Sequence, residues 1–248
     1  MIALRSKDEL EILREVNLIA AETLSELERY IKPGITTMEL DKVAEDFVKK
    51  KGAVASFKGY RGFPSHICTS VNEEVVHGIP GPRLLKEGDI LSVDVGIKWR
   101  AYYGDCAKTV GVGKIGAKAQ NLLTVTEEAL ARAIALARPD NRLFDISFAI
   151  QSYAESNGYS VVRDFVGHGI GLNLHEEPQV PNFGSPHKGP RLLPGMVLAI
   201  EPMVNEGSYE VEIAADGWTV VTRDRRLSSH FEHTVAITEN GPWVLSRI

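Results

Sequence analysis

One short string occurs twice in the chain. Gly81-Pro82-Arg83-Leu84-Leu85 recurs letter for letter as Gly189-Pro190-Arg191-Leu192-Leu193. With a gap of one residue, the GDILSVD that follows at 88–94 aligns with GMVLAIE at 195–201, so Gly88 meets Gly195, Leu91 meets Leu198, Val93 meets Ile200 and Asp94 meets Glu201. Upstream, His77-Gly78-Ile79-Pro80 is echoed by His168-Gly169-Ile170-Gly171 at a different spacing. Each copy ends an apolar run in a carboxylate. The repeat predicts two related αβ halves, roughly 1–112 and 113–248, facing each other across a pseudo-twofold axis.

Periodicity agrees with that organisation. Ser6 and Glu9 form a capping box ahead of apolar residues at Leu10, Leu13, Val16, Ala20, Leu24, Leu27 and Ile31, one face of a long helix that Pro33-Gly34 ends. Thr36 with Glu39 starts a second helix carrying Leu40, Val43, Ala44, Phe47 and Val48. Residues 60–113 read as short strands punctuated by Gly and Pro, 116–157 as helix broken near Pro139, and the remainder as strand and loop. With 248 residues and no Ser/Pro-rich linker, a single continuous α+β domain over 1–248 is expected.

Charge narrows the function. A formal net charge of −5 gives no electrostatic footprint for duplex nucleic acid, so no nucleic-acid partner is expected. Only Cys68 and Cys106 are present, too few for a disulfide scaffold or a cysteine zinc site. MIALRSKDELEILREV lacks the apolar core of a signal peptide, and no run approaches a membrane span. A cytoplasmic protein with no membrane association is expected.

Strand alternation puts Ile90, Ser92 and Asp94 on one face, and Val197, Ala199 and Glu201 on one face of the copy. A buried carboxylate is costly unless paired or bound to a cation, and neither run offers a Lys or Arg before it. Asp105 follows a hairpin-like stretch, and Glu232 shares a face with Thr234 and Ala236. His168 adds an imidazole between Gly167 and Gly169, which permit close backbone approach. Four carboxylates and one neutral imidazole carry a charge that two divalent cations would balance, the composition of a hydrolytic two-metal site.

The segments 63–80 (FPSHICTSVNEEVVHGIP), 94–109 (DVGIKWRAYYGDCAKT), 166–184 (VGHGIGLNLHEEPQVPNFG), 195–207 (GMVLAIEPMVNEG) and 216–242 (DGWTVVTRDRRLSSHFEHTVAITENGP) closely resemble type I methionine aminopeptidases of metallopeptidase family M24. The resemblance spans essentially the whole chain. It implies an α+β pita-bread fold: two pseudo-symmetric αβ halves, a curved antiparallel sheet, and helices on its outer face. It implies Asp94, Asp105, His168, Glu201 and Glu232 as ligands of two divalent ions, cobalt, manganese, iron or zinc, with Asp105 and Glu232 bridging. It further implies His175 at the scissile carbonyl, His77 at the substrate backbone nitrogen, and Glu201 as general base and proton shuttle.

By the same resemblance, Tyr60, Phe63, Cys68, Leu174 and Trp218 would line a methionine pocket with Phe57 at its edge, soft and aromatic surroundings that suit a thioether. Cys68 has no base nearby in sequence and reads as pocket wall. The implied activity is removal of the initiator methionine from nascent chains with a small second residue, by metal-activated hydroxide attack. The implied context is a monomer working near the ribosome exit. Cys106 stands where the family commonly has a hydroxyl residue and His230 where Gln is common, which bears on tuning of the metal. Proline-specific relatives of the same fold usually carry an additional N-terminal domain. A ligand-free binding protein of this fold would lack some of the five metal-ligating residues.

Overall fold

The computed structural model describes residues 2–248. Helices α1 (Lys7–Glu28) and α2 (Thr37–Lys50) each begin with the capping box read from sequence, Ser6 with Glu9 and Thr36 with Glu39. Each such cap is worth about 1 kcal/mol. α1 stops before the end of its apolar stripe. Pro33 cannot continue a helix, and Ile31 instead packs on the core from the turn.

The first half continues through β1 (Val54–Ala55), β2 (Cys68–Val71), β3 (Glu74–Val76), β4 (Ile90–Trp99) and β5 (Tyr102–Gly111). The second half opens on α3 (Ala117–Leu136) and α4 (Leu143–Ser156), then β6 (Ser160–Val161), β7 (Gly167–Gly169), β8 (Glu176–Val180) and β9 (Val197–Ile200). It closes with β10 (Met203–Asn205), β11 (Val211–Ile213), β12 (Val220–Thr222), β13 (Ser228–His230), β14 (Glu232–Thr238) and β15 (Gly241–Val244). The main sheet is antiparallel and runs β1-β4-β5-β14-β9-β7-β8, with β2 on β4 and β15 on β14. β13-β10-β6 and β11-β12-β3 form two small satellite sheets.

Burial follows from this layering. On one face of β4, Leu91, Val93, Val95 and Ile97 join Leu13, Val16 and Leu27 of α1 in an apolar core. Under α3 and α4 a second core gathers Leu122, Leu130, Ile146, Leu198, Val235 and Ile237. On the other face of β4 polar side chains follow Ile90, and there Ser92 hydrogen-bonds Thr109 at 2.8 Å. This is the expected α+β arrangement, helices on one face and chemistry on the other.

The repeat is present, but in a different register from its letters. Thr36, N-cap of α2, bridges Leu84, whereas Arg142, N-cap of α4, bridges Arg191. The Leu85 N–H donates to Ile35 O and the Leu192 N–H to Asn141 O, and Thr37 and Leu143 N–H groups donate to Arg83 O and Pro190 O. Leu84 therefore matches Arg191, Leu85 matches Leu192, Gly88 matches Gly195 and Asp94 matches Glu201, with no gap. Exposure agrees: Leu85 and Leu192 are 1% exposed, Leu84 and Leu193 54% and 44%. The five-letter identity is a coincidence of turn composition, because backbone pairing and burial set the register.

The His-Gly-Ile echo is likewise not structural. Ser70 lies opposite Ser92, and His168 lies opposite Ala199. Since Ser92 matches Ala199, the counterpart of His168 is Ser70 and not His77.

At the centre of the sheet, β5 pairs with β14, with Ala107 opposite Glu232 and Cys106 opposite His233. The Thr109 hydroxyl donates to the His230 carbonyl at 2.8 Å, and the Thr234 hydroxyl donates to the Asp105 carbonyl at 2.8 Å. The pseudo-axis thus passes through the Ala107–Glu232 pair, relating Thr109 to Thr234 and Asp105 to His230.

Candidate metal centre and substrate pocket

The polar face of the central strands forms the floor of a cavity of about 250 Å³. Asp94 comes from β4, Asp105 from β5, His168 from β7, Glu201 from the residue after β9, and Glu232 from the start of β14. Ligand atoms of Asp105, His168 and Glu232 lie within 4.8 Å of one another. Glu201 Oε1 is 3.5 Å from His168 Nε2, and Glu201 Oε2 is 3.6 Å from His230 Nε2. All five residues of the expected ligand set line this one cavity.

The His168 Nδ1–H donates to the Gly169 carbonyl at 2.9 Å, which leaves the Nε2 lone pair for the cavity. The flanking glycines are needed. A Cβ on Gly167 would lie 2.4 Å from Ala199 O, and one on Gly169 2.2 Å from Glu177 O.

Charge is uncompensated among the described protein groups. Burial, then the charge of Glu201, pushes Asp94 up to about 6, and burial pushes Glu201 up to about 7. Asp105 and Glu232 are driven well above the carboxylate range by burial and by the neighbouring carboxylates. Asp94 Oδ1, Asp105 Oδ1, Glu232 Oε1 and His230 Nε2 are buried without a hydrogen-bond partner. No Lys or Arg of the described residues pairs with any of the four carboxylates; the ion-pair partners of Glu201 are His168 and His230. Orphaned hard oxygen atoms beside an oriented imidazole fit divalent cations, which would replace the missing partners.

Above this floor, Tyr60 and His175 share a hydrogen bond of 2.8 Å between hydroxyl and Nδ1, and their rings stack at 5.2 Å. The His175 ring lies 4.3 Å from that of His168. Burial, then the charges of His168, Arg61 and His77, lowers His175 to about 3; burial, then His230, lowers His77 to about 4. His77 takes a left-handed backbone (φ 60) and packs edge-on against Phe165 at 5.6 Å.

Phe63 meets Trp218 edge-on at 5.2 Å, and Cys68 sits on β2 directly opposite Asp94. The Asp41 carboxylate anchors this wall by accepting from the backbone N–H groups of His66 and Ile67 at 2.7 and 3.1 Å. Burial, then the charge of Asp94, raises the Cys68 thiol, which disfavours the thiolate a nucleophile needs. Tyr60, Phe63, Cys68, Leu174 and Trp218 all line the cavity, as does Phe57.

Val76, Phe165 and Met203 line it too and were not expected from sequence. Met203 follows Glu201 by two residues, and alternation from the carboxylate was the available signal. Val76 and Phe165 lie next to His77 and close before His168 but belong to no periodic run.

Comparisons agree with this geometry. Residues 11–239 match the model of metallopeptidase family M24. Over 248 residues, covering 100% of both chains, the protein is 57% identical to methionine aminopeptidase 1 of Bacillus subtilis. Over the same length it is 54% identical to the methionine aminopeptidase of Clostridium perfringens, again with 100% of both chains covered. The crystal structure of methionine aminopeptidase from Thermotoga maritima superposes with a TM-score of 0.99 at 45% identity, covering 100% of each chain. With a metal-ready floor, a soft aromatic pocket and full-length relatives of this kind, the chain belongs to the methionine aminopeptidases of metallopeptidase family M24.

Proposed function

We propose that the protein removes the initiator methionine from nascent chains, preferring a small second residue, as a dinuclear metal hydrolase. The observation that carries this reading is the set of orphaned, buried carboxylate oxygens lying under a pocket of sulfur and aromatic side chains. Asp94, Asp105, His168, Glu201 and Glu232 would hold two divalent ions, with cobalt, manganese, iron and zinc all compatible with these donors. Bound there, the ions supply Lewis-acid polarisation of the scissile carbonyl and activate water as the nucleophile.

The protein groups do the rest. Cys68, Tyr60, Phe63, Leu174 and Trp218 enclose the methionine side chain and exclude water from it. His175, whose Nδ1 is engaged by Tyr60, presents Nε2 to the scissile carbonyl oxygen and stabilises charge there. His77 contacts the substrate backbone nitrogen, and Glu201 carries the proton from water to the leaving amine. We treat 1–248 as one catalytic unit of two halves, acting as a cytoplasmic monomer on chain ends near the ribosome exit, without nucleic-acid specificity. No helix among the described residues is long and apolar enough to cross a membrane.

The test is amino-acid release by metal-stripped protein reloaded with manganese, cobalt, iron or zinc, offered Met-Ala-Ser and Ala-Pro-Ser peptides. Methionine release restored by metal, with no alanine release, is expected. Alanine release would move the assignment to proline-specific peptidases, and no release with any metal would refute the enzymatic reading.

A further inference from the structure

The short arm before α1 leaves the first half and docks on the second. Ile2 packs against the α3/α4 core, and the Arg5 N–H donates to Gly195 O at 2.8 Å, at the turn that feeds β9. The Arg5 side chain is only 7% exposed, and its guanidinium pairs with the Glu176 carboxylate, itself 14% exposed. Glu176 directly follows His175 and uses its other oxygen to accept from the Asn173 N–H at 2.9 Å. The guanidinium also lies over Gly171, where a Cβ would fall 2.2 Å from Arg5 Nη2.

The loop 170–175 carries His175 and belongs to no strand. Ile170 and Leu174 anchor it in the core, Ile170 N–H donates to Val197 O at 3.1 Å and Tyr103 N–H to Gly171 O at 2.8 Å, and Tyr60 holds the His175 ring; at the backbone beside His175, Glu176 closes the loop by accepting from the Asn173 N–H. A buried guanidinium is costly to place without a partner, so the pair locks Glu176 in one position, and a planar fork constrains it more tightly than an ammonium. Displacement of a catalytic group by about 1 Å can cost ~100-fold in rate.

We infer that Arg5 is a positioning residue for His175, acting through Glu176: the N-terminal arm of one half sets the carbonyl-facing imidazole supplied by the other. This rests on the reading of His175 as the group at the scissile carbonyl. The test uses manganese-loaded full-length protein and methionine release from Met-Ala-Ser.

Arg5→Met is expected to lower kcat about 10- to 100-fold at unchanged manganese content. Arg5→Lys, which keeps the charge but not the fork, should recover only part of that loss. In a His175→Ala background, Arg5→Met should change the residual rate less than two-fold. Glu176→Gln, nearly isosteric, gives an independent variant should Arg5→Met fail to fold, and it should show the same dependence on His175. Equal losses in both backgrounds, a loss tracking lost manganese, or an unchanged kcat in folded Arg5→Met or Glu176→Gln would overturn the inference. Absence of methionine release by the wild type would instead overturn the proposed function.

Discussion

The two halves share a frame and differ at its centre. Asp94, inside β4, and Glu201, just after β9, occupy matched positions in the two halves, as Thr109 and Thr234 do across the axis. The remaining proposed ligands break the match. Asp105 has His230 as its counterpart, Glu232 has Ala107, and His168 has Ser70. Backbone pairing has been kept where side chains have diverged. The duplicated frame specifies where donors can stand, and each half specifies separately which donor stands there.

The sharpest way to break this comparison is to remove the matched carboxylates one at a time. Asp94→Asn and Glu201→Gln should each lower methionine release by about 10²- to 10⁴-fold, measured on manganese-loaded protein. A variant retaining a tenth of the wild-type rate would show that one half alone carries the chemistry.

Stability tests the corrected register. Leu85→Ala and Leu192→Ala should each cost about 2–5 kcal/mol in urea unfolding, whereas Leu84→Ala and Leu193→Ala should stay within about 0.5 kcal/mol. Had the literal repeat been structural, Leu84 would pattern with Leu192. A smaller contrast is expected from the matched hydroxyls. Thr109 also contacts Ser92, Ser229 and the His230 N–H, while Thr234 makes its single bond to Asp105. Thr109→Val should therefore cost about 2 kcal/mol and Thr234→Val about 1 kcal/mol in the same assay.

These residues also mark how far the sequence can be read. Asp94 and Glu201 were legible because each stands in an apolar run, where a carboxylate has no ordinary reason to be. The helices were legible through their capping pairs and stripes, although Pro33 ended α1 before its stripe did. The register of 88–94 on 195–201 was legible, but that of the string at 81–85 was not, because five identical letters outweigh backbone hydrogen bonds that leave no trace in composition. Val76 and Phe165 stayed hidden for a related reason. They reach the cavity from a short satellite strand and a loop, segments too brief to carry a period.

The Ala107–Glu232 pair has a consequence for how such a centre can arise. In an assembly of two identical subunits, whatever stands on the twofold axis must stand there twice, facing itself. Two glutamates there would sit at cross-strand distance, about 4.5–5.5 Å, and repel; two alanines would contribute no donor. Joining the halves in one polypeptide lifts that obligation, so one strand keeps the acid and its mate shrinks to a methyl group. An odd number of donors is then available from a twofold scaffold, which no homodimer could offer from its own axis.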